Sequence, residues 1–237
     1  MGVPVAVVLG VGPGLGAAVA YQFARQGYAV ALMARNLDHL TVVEQEIKQF
    51  GETAISVTVD ATDIVKITEA FAEVKTELGT PEVLIYNAGM LQMGGILELT
   101  PEQFEQSWKV NCFGAFLAAQ QVLPAMVEQA KGTIIFTGAT AATRGSAGFS
   151  ALAVGKFGLR ALAQSLAREF GRQGVHVAHV MIDGLIDTPR VREMFPQREP
   201  DTLILPDAIA KIYWQLHQQS ATTWTLELDI RPSVEKF

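Results

Sequence analysis

The sequence predicts an α/β fold: a doubly wound parallel sheet of about seven strands with helices on both faces. Three observations carry this. Short apolar runs alternate with helix-length segments along the whole chain, the pattern of consecutive βα units. Those runs are apolar at nearly every position, as strands buried on both faces require. The first turn between strand and helix reads Gly10-Val11-Gly12-Pro13-Gly14-Leu15-Gly16, a backbone that bends sharply with little side-chain cover.

In order, Val3 to Leu9 is the first strand and Ala17 to Arg25 the first helix. Tyr28 to Met33 is a second buried strand, ending at Ala34-Arg35-Asn36. Leu37 to Phe50 is helical, with Gly51 as its stop. Ala54 to Val59 is strand three and ends at Asp60; Asp63 to Leu78 is helical, closed by Gly79 and Pro81. Val83 to Tyr86, strand four, runs into Asn87-Ala88-Gly89. Thr100-Pro101-Glu102-Gln103 opens a helix with a cap, a proline in the first turn and a glutamine placed for a capping box. Phe104, Trp108, Asn111, Ala115 and Ala119 follow at helical spacing and share a face. Thr133 to Phe136 is strand five, and the next helix carries Leu152, Gly155, Leu159, Leu162 and Leu166 in one stripe. Val175 to Ile182 is strand six. A proline-containing loop from Pro189 to Pro200, a helix after Pro206 and a last strand from Trp224 to Ile230 follow. No linker, repeat or low-complexity segment intervenes, so residues 1–237 are expected to form a single domain.

Composition narrows the function classes. Over 237 residues, 49% are hydrophobic and 18% charged, which marks a globular chain with a sizeable core. The net charge of −6, without a basic patch, argues against nucleic-acid binding. Cys112 is the lone cysteine, so no internal disulfide forms and a cytoplasmic location is expected. The N-terminal residues lack a cationic lead and a small-residue cleavage site, so Val3 to Leu9 reads as strand and not as signal. No apolar run approaches the roughly 20 residues of a membrane helix, and neither a membrane nor a metal is expected.

The glycine turn points free N–H groups and the positive end of a helix dipole at one spot, which suits a pyrophosphate. Ligands of such sheets lie at the carboxyl ends of the strands. The glycine turn, Arg35, Asp60, Asn87, the residues after Phe136 and Asp183 all fall there. Arg35 ends strand two about 20 residues past the glycines, where an acid would take a ribose 2′-hydroxyl and an arginine a 2′-phosphate. NADP(H) is therefore the expected coenzyme; NAD is the lesser alternative, served by Asp38 if the loop is longer. The competing reading of Arg35 is a solvated residue opening a helix. Lys156 lies within about 40° of Leu152 on its helix, beside the apolar stripe, where a ribose would supply the acceptor it needs. Asn111 faces inward, for a backbone hydrogen bond or a water relay, and Cys112 reads as a small core residue.

With these residues in place the chain resembles the short-chain dehydrogenase/reductase family over essentially its whole length, with its Rossmann-type sheet. Gly10, Gly14 and Gly16 match the family's coenzyme turn, which also takes in Gly12 and Leu15, though Leu9 stands where a threonine is usual. The resemblance implies that Asp60 meets the adenine, helix capping being its other reading. Asn87-Ala88-Gly89 matches the Asn-Ala-Gly motif, and Asn111 the active-site asparagine. Lys156 corresponds to the lysine on the nicotinamide ribose. Thr188 corresponds to the carboxamide anchor, although the usual Pro-Gly reads Asp183-Gly184. It also implies a homodimer or homotetramer that pairs the helices at about 100–128 and 149–171, with Ala115, Ala119, Ala161 and Ala163 allowing close approach. The tail after Asp229 is expected to dock on a neighbouring subunit.

The chemistry departs from the family. Leu152 stands four residues before Lys156, where the family has its proton-donating tyrosine, and Ala139 replaces the serine. Phe149 occupies the tyrosine position of the related enoyl reductases. Lys156 and Asn111 are thus the catalytic residues retained. Ser150 faces away on the helix, Thr137 and Thr140 are weak acids, and Asp183, Asp187, His176 and His179 persuade no better as replacements. A positioned general acid is worth ~100- to 10,000-fold, so simple ketone reduction should be slow. Three functions are open: an NADP-dependent oxidoreductase with an altered site, acting on a small hydrophobic carbonyl, activated alkene or imine; a catalytically silent NADP-binding sensor or scaffold; or a plain ketone reductase, for which Leu152→Tyr with Ala139→Ser would be neutral or harmful. Leu152, Phe149, Met90, Met93, Met194 and Phe195 are expected to line an apolar substrate pocket.

Overall fold

The computed structural model describes residues 2–235. Seven strands form one parallel sheet among these residues: β1 (Val5–Leu9), β2 (Ala29–Ala34), β3 (Ala54–Thr58), β4 (Pro81–Tyr86), β5 (Gly132–Thr137), β6 (Val175–Ile182) and β9 (Glu227–Ile230). Their order is β3-β2-β1-β4-β5-β6-β9, so the winding reverses between β1 and β4. Helices α1 (Leu15–Ala24), α2 (Leu37–Gln49) and α8 (Pro206–His217) cover one face, their Phe23, Leu40 and Tyr213 buried against it. Helices α3 (Ile64–Glu77), α5 (Gly114–Glu128) and α6 (Ser150–Phe170) cover the other through Phe71, Leu117 and Leu159. Every residue of β1 and β5 is buried, which explains their unbroken apolar or small sequences.

Local signals act as their chemistry requires. Thr100 and Gln103 form the capping box at the start of α4 (Pro101–Trp108). Gly51 takes the left-handed conformation that stops α2, at φ +86°. Asp63 caps α3 by accepting from Val65 N and Lys66 N, each at 2.9 Å. Pro81 opens β4 instead of closing the preceding helix, at a strand start where a missing N–H is tolerated.

Four sequence expectations need correction. First, α4 and α5 are joined by a π-helical turn, Lys109–Phe113. The extra residue rotates the inward face, so that Ser107, Asn111, Ala115 and Ala119 are buried while Trp108 is turned outward and stacks on Phe113. Second, the helical stretch Pro101–Glu128 is long and apolar enough to cross a membrane by length and composition. Half of its apolar window is buried inside this chain, as in a core helix. Third, Ala115, Ala119 and Ala163 are buried within the chain and cannot line a subunit contact; of the four alanines only Ala161 is exposed. Fourth, the loop from Pro189 to Pro200 is partly ordered. It holds α7 (Pro189–Met194), and a small parallel ladder joins β7 (Leu185–Ile186) to β8 (Leu203–Ile204).

The tail starts by folding onto its own chain. The Arg231 guanidinium lies 3.5 Å from Asp183 Oδ2, and Pro232 is buried beside Gly184. Lys236 and Phe237, part of the expected docking segment, lie outside the described residues.

Because Asp63 satisfies two otherwise orphaned N–H groups of α3, Asp63→Ala should destabilise the fold by about 1 kcal/mol. Urea unfolding with an unchanged slope and a lower midpoint checks this.

Candidate active site

The site begins where β1 and β4 part. Gly10 has φ +104°, and a Cβ there would run into Ala88 N and the Asn87 carbonyl carbon. Asn87 Nδ2 donates to Gly10 O at 2.9 Å, and Asn87 N to Leu9 O at 2.8 Å. This contact brings the Asn-Ala-Gly segment against the glycine turn. A Cβ on Gly16 would stand 2.5 Å from Gly10 O, and one on Gly14 would stand 2.6 Å from Thr188 Cγ2. Gly12 differs: no atom lies within 4 Å of where its Cβ would be. Protein packing does not require glycine there, but close approach by a ligand would.

Leu15 is buried in the core, so only its backbone is available to a ligand. The N–H groups of Gly12, Gly14, Leu15 and Gly16 find no acceptor among the described residues, whereas Ala17 N and Ala18 N bond to Gly12 O and Gly14 O. Unpaired donors at a helix N-terminus suit an anion.

From this turn a groove of about 890 Å³ runs along the carboxyl edge of the sheet. Asp60 lines it beyond β3, Arg35, Asp38 and His39 beyond β2, and Asn87, Ala88 and Gly89 beyond β4. Asn36 opens α2, accepting from His39 N at 3.3 Å. Arg35 is therefore not the residue that caps this helix. It is exposed in the groove and forms no ion pair or hydrogen bond among the described residues. Asp60 Oδ1 accepts from Thr62 N at 2.9 Å and Thr62 Oγ1 at 2.8 Å. The cap of α3 is Asp63, which removes the capping alternative for Asp60.

A second cavity of about 300 Å³ meets the groove at Gly89, which lines both. Lys156 forms its buried wall, with Nζ donating to Thr137 O at 2.8 Å. Burial pulls the Lys156 pKa down to about 8. Asn111 sits on the π-helical turn with its carboxamide engaged. Nδ2 donates to Met90 O and Ser107 O at 2.9 Å each, and Oδ1 accepts from Met90 N at 3.2 Å. Of the two roles open to Asn111, the side chain performs the structural one, holding the loop after β4.

Leu152, Met90, Met194 and Phe195 line the second cavity as expected; Phe149 and Met93 do not. The alternative proton donors are committed elsewhere. Thr137 Oγ1 and Tyr213 OH share a hydrogen bond of 2.8 Å, and Thr140 Oγ1 donates to Asp183 Oδ1 at 2.6 Å. Asp187 is paired with Arg192. His176 stacks on Trp224, and Ser150 is absent from the cavity wall. His179 is buried with its ring against Gly138, and burial pulls its pKa down to about 4, so it is neutral at pH 7. Cys112 is half-buried against Gly158 instead of deep in the core.

Thr188 lines neither cavity. Its Oγ1 accepts from Val191 N at 3.2 Å and caps α7, while its methyl group closes on Gly14. Sequence reasoning missed Arg190, which lines the second cavity. Thr188-Pro189, a cap followed by proline in the first turn, was the signal for the helix that carries it.

Below about pH 8 the folded protein holds a buried ammonium at Lys156; its ordinary value is 10.5. Between these values only the unfolded chain keeps the proton, so the burial cost is relieved as pH rises across that window. Lys156→Met should therefore gain on the wild type at pH 7 and lose about 3 kcal/mol of that advantage by pH 10.5, at roughly 1.4 kcal/mol per pH unit. Urea unfolding of the ligand-free pair checks this; a pH-independent difference would contradict it.

The family model for short chain dehydrogenases matches residues 4–199. A short-chain dehydrogenase/reductase of Armillaria gallica is 34% identical over 189 residues, 78% of this chain and 72% of that protein. A crystal structure of a short-chain dehydrogenase from Rhodopseudomonas palustris matches with a TM-score of 0.84 at 35% identity, covering 97% of this chain and 98% of the other. A metagenomic short-chain oxidoreductase solved in complex with NADP matches with a TM-score of 0.84 at 28% identity, over 98% of each chain. With the family pattern running from residue 4 to residue 199, and the fold shared across nearly all of the chain, this protein belongs to the short-chain dehydrogenase family.

Proposed function

We propose that this protein is an NADP(H)-dependent oxidoreductase with an altered active site, acting on a small hydrophobic carbonyl, activated alkene or imine. The observation that carries the reading is that Gly89 lines both cavities, so that the long groove adjoins the apolar pocket beside Lys156. The residues present fit the coenzyme. Bare Gly12 and the unpaired N–H groups around it form a cradle for the diphosphate, and Arg35 is free to meet a 2′-phosphate. Asp60 has no hydrogen bond to Oδ2 among the described residues, which leaves that oxygen for the adenine. Lys156 spends one N–H on Thr137 O and offers the others to ribose hydroxyls. The NADP complex of the metagenomic relative supports the same coenzyme.

Bound in this groove, the coenzyme would supply a hydride. The chain contributes position and exclusion of water, through Leu152, Met90, Met194 and Phe195. Among the described residues no hydroxyl side chain lines the pocket. The titratable donor on its wall is the Lys156 ammonium, which burial makes a stronger acid than a solvated lysine. Acceptors that demand little protein acid, such as electron-poor C=C bonds and iminium ions, suit this wall best.

The same lack of a hydroxyl favours a second reading, a silent NADP-binding sensor or scaffold. We further propose one cytoplasmic domain and a homodimer or homotetramer. The exposed Trp108, Phe116, Val154 and Phe157 on α4, α5 and α6 support the assembly.

Fluorescence titration with NADPH and NADH tests the coenzyme. NADPH should bind about 10- to 100-fold tighter, and Arg35→Ser should abolish the difference, as loss of a charge-assisted contact requires. Gly12→Ala should fold with near-normal stability yet lose NADPH affinity. A substrate panel on the same sample then separates the readings: NADPH oxidation with an activated alkene, imine or carbonyl supports the enzyme, and binding without any oxidation supports the sensor. Leu152→Tyr with Ala139→Ser should raise ketone reduction at least tenfold; an unchanged rate would contradict the altered-site reading.

A further inference from the structure

We propose that the pocket beside Lys156 is built for an apolar carboxylate, with Arg190 at its mouth as the carboxylate receptor. This rests on the oxidoreductase reading and names the class of substrate it takes. The cavity, about 300 Å³, holds on the order of ten non-hydrogen atoms at roughly 30 Å³ for each water-sized group. Met90, Leu91, Leu152, Val191, Met194 and Phe195 make its walls apolar, and among the described residues no aspartate or glutamate lines it.

Its polar lining is Asn111, Lys156 and Arg190. Asn111 is engaged with Met90 and Ser107, and Lys156 lies at the buried end against Thr137 O. Arg190 lies at the exposed end and has no hydrogen bond, ion pair or ring contact among the described residues. Nearby carboxylates do not explain this by their absence. Arg192, on the same short helix, binds Asp187 through Nε–Oδ1 at 2.7 Å and Nη2–Oδ2 at 2.9 Å. An unpaired guanidinium at the rim of an acid-free apolar cavity offers a planar fork that a carboxylate matches bidentately. A phosphate dianion has more acceptors than one fork can satisfy, and the walls select a hydrocarbon body behind the charge.

Calorimetry on the NADPH-saturated protein with hexanoate and hexanamide tests this, since the probes share size and shape and differ in charge. Hexanoate should bind about 10- to 100-fold tighter, the ratio a charge-assisted hydrogen bond supports. Arg190→Gln should erase that preference while leaving hexanamide binding, NADPH affinity and the melting temperature unchanged, and Arg190→Lys should restore part of it. Equal binding of both probes to the wild type would overturn the proposal, as would a hexanoate preference that survives Arg190→Gln. Failure of the underlying reading looks different: no activated alkene, imine or carbonyl causes NADPH oxidation, while the hexanoate preference and its dependence on Arg190 persist. If NADPH does not bind, the same two probes are compared on the protein alone, with the same outcomes.

Discussion

The hydrogen bond from Asn87 Nδ2 to Gly10 O, 2.9 Å long, ties the end of β4 to the first turn of the chain. It exists because Gly10 has no Cβ; a side chain there would occupy the space of Ala88 N. The winding of the sheet reverses between these two strands, which opens a crevice beyond their carboxyl ends. Holding Asn87 against the turn sets the floor of the groove, and it carries Gly89 to the junction with the second cavity. The loop that follows is then fixed by Asn111, whose carboxamide binds both backbone groups of Met90. Two asparagines thus build the site by pinning backbone.

Lys156 is the energetic counterpart of that rigidity. A buried ammonium given a single carbonyl acceptor costs stability in the empty protein. Such a group is tolerated where a ligand repays the cost, and the adjoining groove supplies room for one. The neighbouring polar groups do not share the load: Thr137 turns its hydroxyl to Tyr213 on the other face of the sheet, and Thr140 is held by Asp183. Leu152, Met90, Met194 and Phe195 form an apolar wall around Lys156, with Arg190 as a second cation on the cavity lining.

How much of this was legible beforehand depended on the range of the interaction involved. The glycine turn, the Thr100 capping box, the Gly51 stop and the full span of β6 are written in local spacing, and the structure has them. The π-helical turn at Lys109–Phe113 is not, since one extra residue in a helical turn leaves the composition of the helix unchanged. Nor are β7 and β8, two-residue strands that exist only because tertiary packing brings them together. Ala115, Ala119 and Ala163 show the limit of a small-residue stripe. The same spacing serves packing against the chain's own sheet or against another subunit, and here it serves the first. Arg190 went unread because its meaning lies in a cavity assembled from the loop after β4, the π-helical turn, α6 and the segment after β6.

The most direct measurement is a thermal melt of the wild-type protein with and without NADPH. A ligand at about 100 times its dissociation constant adds about 2.7 kcal/mol to the folded state. At roughly 2–4 °C per kcal/mol for a chain of this size, a coenzyme seated along the sheet edge should raise Tm by about 5–10 °C, and NADH at equal concentration should raise it less. Superimposable melting curves at millimolar NADPH would mean that the groove is not a coenzyme site.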